Sequence, residues 1–188
     1  MQPASFLIRE ATSSDQPILW ELLYDALWDP PTSPRRPRSV LSNPHVAAYV
    51  QDWGSQPADL GFLAVAPDGT VAGGILGRLL LPPHPGGAFM DATTPQVGIA
   101  VFPAFRQQGL GNALFNRYLA AAAARFARVS LGVHPENHLA IGWYRRLGFV
   151  PFATGHGGDI NMARNLRPDR HRTIPPGKQG GILGSTAQ

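Results

Sequence analysis

No cysteine occurs among the 188 residues, so disulfides, thiolate metal sites and a cysteine nucleophile are excluded together. Any thiol chemistry has to arrive with a ligand. Charge is also scarce: Asp, Glu, Lys and Arg make up 15% of the chain, against roughly 25% in an average soluble protein. Long apolar runs are missing as well. No stretch approaches the roughly 20 uninterrupted apolar residues of a membrane span, and no basic flank followed by an apolar run opens the chain. The expectation is a soluble, unexported, cytoplasmic protein with no membrane partner.

What is present supports a core. Hydrophobic residues make up 44% of the chain, and the length suits one domain better than two. The formal charge of +4 and a pI near 10.1 favour something anionic. The basic residues partly cluster at Arg35, Arg36 and Arg38 and over residues 164–172. No nucleic-acid motif and no basic, aromatic-interleaved strand accompanies them, so nucleic acid is not the expected partner.

Residues 6–9 read as a short strand. Ser13, Ser14 and Asp15 then offer capping side chains to a helix with Ile18, Leu19, Leu22, Leu23 and Leu27 at helical spacing. The proline- and arginine-rich run over residues 29–37 cannot be helical. A second short helix is expected after Asn43 and Pro44, stopping near Gly54. Residues 62–66 and 71–81 are apolar runs separated by Pro67-Asp68-Gly69-Thr70, a hairpin signal. A strand over residues 97–101 closes at Pro103. The next helix, from about Gly109, repeats Leu110, Leu114, Tyr118, Ala122 and Phe126 every fourth residue. A strand over 129–133, a helix over 137–147 ended by Gly148, and strands over 149–152 and 159–162 complete the order. Seven strands interleaved with helices in this order predict an α/β fold with a mixed sheet and helices on its faces. The domain should span residues 1–166, and residues 167–188, which lack core periodicity, should form a flexible basic tail.

Arg106-Gln107-Gln108-Gly109-Leu110-Gly111 sits directly between an expected strand and an expected helix. Backbone N–H groups at a helix N-terminus are unpaired and carry partial positive charge, and glycines let the main chain approach a bulky anion. This is the pattern of a pyrophosphate cradle, with backbone donors from Gln107, Gln108, Gly109, Gly111 and Asn112 and a formal charge from Arg106. A dinucleotide fingerprint does not fit, because no third glycine follows at the required spacing and residues 129–131 contain no acid. A P-loop does not fit either, since Gly177-Lys178 is followed by Gln179.

Asn137, Ala140, Tyr144 and Gly148 form a second constellation. Asn137 and Tyr144 are seven residues apart, so they fall on nearly the same helix face, about 10 Å apart along the axis. A phenol with its ordinary pKa of about 10 keeps its proton at neutral pH and suits protonation of a departing thiolate. Tyr144 and Trp143 as plain core aromatics are the competing reading.

Together, Val97-Gly98-Ile99-Ala100-Val101-Phe102-Pro103 with the glycine loop, and Asn137-x-x-Ala140-x-x-x-Tyr144-x-x-x-Gly148-Phe149, resemble the GNAT superfamily of N-acetyltransferases. The resemblance implies a mixed, mostly antiparallel central sheet of about seven strands with helices on both faces. It implies acetyl-CoA as co-substrate, no metal, and direct acetyl transfer to a primary amine, with a small molecule favoured over a protein amine. The pyrophosphate would lie on the backbone of Gln107, Gln108, Gly109, Leu110, Gly111 and Asn112, near Arg106. Pantetheine would pair with the strand edge at Ile99, Ala100 and Val101. Asn137 would steady the pantetheine arm, and Tyr144 would lie near the sulfur. A homodimer is compatible with the resemblance.

The chain departs from the family where many relatives carry a glutamate as base: Gln96 and Gly98 stand at one place and Ser130 to Val133 hold no acid at the other. Asp91, His134 and Asp159 are the candidates by type and location, directly or through a water. The missing base also admits a catalytically silent acyl-CoA-binding regulatory module. For the acceptor, the loop over residues 29–38 is the expected mouth, lined by Trp28, Arg35, Arg36 and Tyr49.

Overall fold

The structure is a computed structural model, and it describes residues 6–167. The strands are β1 (Leu7–Glu10), β2 (Leu60–Val65), β3 (Val71–Arg78), β4 (Gln96–Val101), β5 (Arg128–Val133), β6 (Val150–Thr154) and β7 (Ile160–Asn165). The helices are α1 (Gln16–Ala26), α2 (Pro44–Ala47), α3 (Leu110–Ala123) and α4 (His138–Arg146). One seven-stranded sheet results, in the order β1-β2-β3-β4-β5-β7-β6. Every pairing is antiparallel except β4 with β5. The mixed α/β sheet with helices on both faces is therefore the observed architecture. The expectation of a tail falls almost wholly on residues 168–188, outside the described residues.

The alternation of side chains along a strand sorts the two cores. Val97, Ile99 and Val101 of β4 face α3 and α4, in a cluster built on Leu114, Phe115, Tyr118 and Phe149. Ala100 faces the other way, into a cluster with Leu19, Leu22 and Leu23 of α1, Val50 and Trp53. Each helix buries the stripe its 3.6-residue period creates, and the sheet lies between them.

Local signals account for most element ends. Asn43 accepts from the His45 N–H with Pro44 in the first turn, as the Asn-Pro pair implies. Asp15, one of the expected capping residues, is the N-cap of α1, but its side chain makes no cap bond to that helix. A 3-10 turn capped by Thr12 precedes α1, and the Asp15 carboxylate accepts from the Thr12 N–H at 2.8 Å and pairs with Arg9 at 2.6 Å. Strand β3 stops at Arg78, earlier than its apolar run suggests, and β7 continues to Asn165, beyond the expected end. Arg78 explains the early stop. Its side chain is 2% exposed, grips Asp59 with two bonds of 2.7 Å, and donates to the carbonyls of Ala48 and Gln51. It thereby ties the α2–β2 connection to the sheet.

The feature that matters for function is the β4–β5 pair. The two strands share a single pairing, Gln96 with Ser130, and then separate. On its other side β4 pairs with β3 throughout, and the Phe102 N–H bonds Ala72. The antiparallel alternation turns the backbone polar groups of Ile99 and Val101 away from β3, toward the opening.

Candidate active site

The opening between β4 and β5 continues into a cleft of about 670 Å³, within the range of small-molecule sites. Its walls are the free edge of β4, the loop leading into α3, α4, and the end of α1 with Trp28. Ile99, Ala100, Val101, Arg106, Gln107, Gly109, Leu110, Gly111, Asn112, Asn137 and Tyr144 all line it. Gln108 is exposed and does not. Residues separated by more than 40 positions in sequence thus converge on one cavity.

The loop before α3 is bent by two left-handed residues, Gln107 at φ 62° and Gly109 at φ 78°. For glutamine this conformation costs roughly 1–2 kcal/mol, and such strain concentrates at functional sites. The first helical bond of α3 is Ala113 N–H to Gly109 C=O. None of the backbone N–H groups from Gln107 to Asn112 makes a well-formed hydrogen bond to another described residue. A row of free donors at the positive end of a helix dipole suits an anion.

Arg106 lines the cleft and has partners within the chain. Its Nε donates to the Val101 carbonyl at 2.8 Å, and its Nη2 pairs with Asp25 at 3.0 Å. The charge is committed to fastening the end of β4 to α1. The Val101 carbonyl thus already accepts one bond, while its N–H faces the opening.

The two glycines of the motif have distinct roles. A Cβ on Gly109 would meet no atom within 4 Å. A Cβ on Gly111 would sit 3.2 Å from the Trp143 ring, so this glycine serves the contact between α3 and α4. Trp143 Nε1 also donates to Asn112 Oδ1 at 2.7 Å, locking the cradle to α4.

On α4, Asn137 is the N-cap, and its Oδ1 accepts from the Ala140 N–H at 3.2 Å. Its amide NH₂ is the group left to offer a ligand. Tyr144 packs among Phe115, Trp143 and Phe149. Burial there pushes its phenol up to about 12, so the proton stays on at any physiological pH. The hydroxyl has no hydrogen-bond partner among the described residues, and Tyr144 is one of the residues that line the cleft.

None of the three candidate bases lines the cleft. Asp91 accepts from Thr93 and Thr94 and pairs with Arg128, at the end of β5 remote from the opening. His134 stacks on Trp28, with ring centroids 4.8 Å apart, and its Nδ1 accepts from the Glu136 N–H. That bond leaves the neutral ring its proton on Nε2, and the contact places His134 one layer behind the cleft, since Trp28 itself lines it. Asp159 precedes β7 near Tyr49. The Tyr49 phenol is pushed up to about 12, chiefly by burial, with the negative charge of Asp159 adding to the effect.

Of the expected acceptor mouth, Trp28 reaches the cleft. Tyr49 instead lines a small apolar hollow with Leu22, Leu23 and Ile99 on the opposite face of β4. Arg35 donates to the Tyr24 and Leu27 carbonyls, Arg36 pairs with Asp29, and Arg38 pairs with Glu21. These arginines stitch the loop onto α1. Sequence reasoning missed Asp25, Leu139 and Arg146, all of which line the cleft. Asp25 meets Arg106 across 81 positions, which no local pattern signals; Arg146 and Leu139 were findable from their helical spacing to Trp143.

Comparison with known proteins agrees with this geometry. Residues 20–149 match the family model described as "Acetyltransferase (GNAT) family". A candidate acetyltransferase from Acinetobacter baylyi ADP1 superposes with a TM-score of 0.63 at 19% identity, covering 88% of this chain and 97% of its own. A second candidate acetyltransferase, from Salmonella typhimurium and solved with acetyl-CoA, gives 0.60 at 19% identity, covering 88% and 96%. A mutant spermidine N-acetyltransferase from Vibrio cholerae gives 0.56 at 16% identity, covering 86% and 94%.

Proposed function

The chain belongs to the acetyltransferase (GNAT) family, and on that premise we propose that it transfers an acetyl group from acetyl-CoA directly to a primary amine, a small molecule rather than a protein amine. The observation that carries this reading is the meeting, in one cleft, of Gln107 and residues 109–112 with their free N–H groups, the unpaired edge of β4 and Tyr144.

The residues fit the coenzyme. The concave loop leaves room at Gly109, where even a Cβ would meet nothing, and its donors match a diphosphate. The outward polar groups of Ile99 and Val101 match the amides of a pantetheine arm, which can add to the sheet as a short strand does. When bound, acetyl-CoA supplies an activated thioester carbonyl. The Val101 N–H points into the opening and is the donor for oxygen charge developing on that carbonyl. Arg106 keeps the strand end in place while this happens. A neutral amine attacks that carbonyl, and the C–S bond breaks as Tyr144 donates its proton to the departing sulfur. The proton that the new amide nitrogen loses returns the phenol to its neutral form through water. Holding both reactants in register is worth on the order of 7–11 kcal/mol in well-oriented systems.

A second reading is a silent acyl-CoA-binding regulatory module. It is favoured by one observation: the carboxylate that lines the cleft, Asp25, is paired with Arg106. Calorimetric titration with acetyl-CoA, followed by thiol release over a panel of amines, separates the two. Binding with turnover of at least one amine supports the enzyme. Tight binding without turnover across aryl, α-amino and alkyl amines supports the module, and no binding rejects both.

A further inference from the structure

Leu139, Trp143 and Arg146 are spaced four and three residues apart on α4, so they share one side of the helix. They form a stripe beside the one carrying Asn137, Ala140 and Tyr144. All three line the cleft. Leu139 is 89% exposed, a large apolar side chain at the rim that nothing in the described chain covers. Arg146 is exposed and makes no ion pair or hydrogen bond among the described residues. The other two charged groups lining the cleft, Arg106 and Asp25, neutralise each other. Gly142 lies under the arginine: Arg146 Nη1 is 3.6 Å from the place a Cβ there would occupy. The guanidinium is therefore folded back along a bare turn of the helix, in the direction helical side chains lean, toward the end that holds Leu139.

We propose that this stripe seats the 3′-phosphoadenosine end of the coenzyme and that Arg146 recognises the 3′-phosphate. The inference rests on the reading of the cleft as an acetyl-CoA site. The diphosphate already has its partners in the backbone donors of the cradle. The 3′-phosphate is a separate monoester carrying between one and two further charges near neutral pH, and it suits a free cation with a planar, forked donor set. A purine has an apolar face of the kind that an uncovered leucine at a cleft rim can pack against. Arg146 is then a specificity residue: it separates coenzyme A from its 3′-dephospho form.

Calorimetry with acetyl-CoA and with acetyl-3′-dephospho-CoA, on the wild type, Arg146→Gln and Arg145→Gln at low salt, tests this. The wild type should bind acetyl-CoA roughly three- to tenfold tighter than the dephospho form. Arg146→Gln should bind the two alike, with the dephospho affinity unchanged. Arg145→Gln, at the neighbouring arginine that does not line the cleft, should keep the wild-type ratio, and added salt should shrink that ratio. Equal affinities in the wild type would overturn the proposal. So would a loss in Arg146→Gln that falls equally on both forms, since that would put the arginine on the diphosphate. If the wild type binds neither form, the coenzyme reading of the cleft fails with it, which is a distinct result.

Discussion

Replacing Gly109 by alanine isolates the cradle from the fold. Gly109 has φ 78° and ψ −1°, a conformation that costs a residue with a Cβ roughly 1–2 kcal/mol. The lower entropy of the unfolded alanine chain offsets about 0.4–1 kcal/mol of that. The new methyl meets no protein atom within 4 Å, so no clash adds to the cost. The net loss is about 0.5–1 kcal/mol, a fall in Tm of roughly 1–4 °C for a chain of this length. Binding should suffer more, because the methyl occupies the space through which the backbone approaches the diphosphate. Losing one charge-assisted hydrogen bond, about 1.5–3 kcal/mol, predicts a decrease in acetyl-CoA affinity of at least about tenfold. Gly69, in the β2–β3 turn, supplies the matched control. Its φ is 86°, and a Cβ there also meets nothing within 4 Å. Gly69→Ala should lower Tm by a similar amount and leave binding untouched. Thermal unfolding and calorimetric titration of the two variants side by side give the answer. Wild-type affinity in Gly109→Ala would refute the claim that the coenzyme contacts this backbone.

Tyr144→Phe should lower kcat by roughly a hundredfold with unchanged acetyl-CoA affinity. Because the phenol is raised to about 12, its proton is lost only as pH rises through that value, so the pH profile of kcat should show no tyrosine limb below about pH 11. The Tyr118 hydroxyl is buried without a partner and lies where a Cβ on Gly77 would go. Chemical denaturation should therefore find Tyr118→Phe neutral or stabilising by up to about 1 kcal/mol. Gly77→Ala should be destabilising by about 2–3 kcal/mol, and less so when combined with Tyr118→Phe. Asp59→Asn, which leaves the buried Arg78 without its counter-ion, should cost about 3–5 kcal/mol in the same assay. Asp15 is held down to about 2, chiefly by its hydrogen bonds from Arg9. A lowered carboxylate contributes stability that is full above its ordinary pKa and lost as pH falls toward 2. Asp15→Asn should flatten the stability curve between about pH 4 and pH 2.

Local chemistry in the sequence determined a good deal of this protein. Helical and strand periods placed the core stripes of α1 and α3, and Asn43-Pro44 started a helix because a capping side chain acts within its own first turn. The glycine loop was legible as a row of free donors because a helix N-terminus owes them to its immediate neighbours. The tertiary structure decided what depends on contacts distant in sequence. Strands β4 and β5 part after one pairing, which leaves the outward backbone groups of Ile99 and Val101 without a strand partner. Arg106, expected to serve the phosphates, is drawn to Asp25 on α1 and to Val101, because an ion pair forms with whichever charge the fold brings near. For the same reason Arg35, Arg36 and Arg38 are occupied within their own loop and helix, while Arg146 stands alone at the cleft. A sequence shows which charges a chain carries; only the packed molecule shows which of them are free.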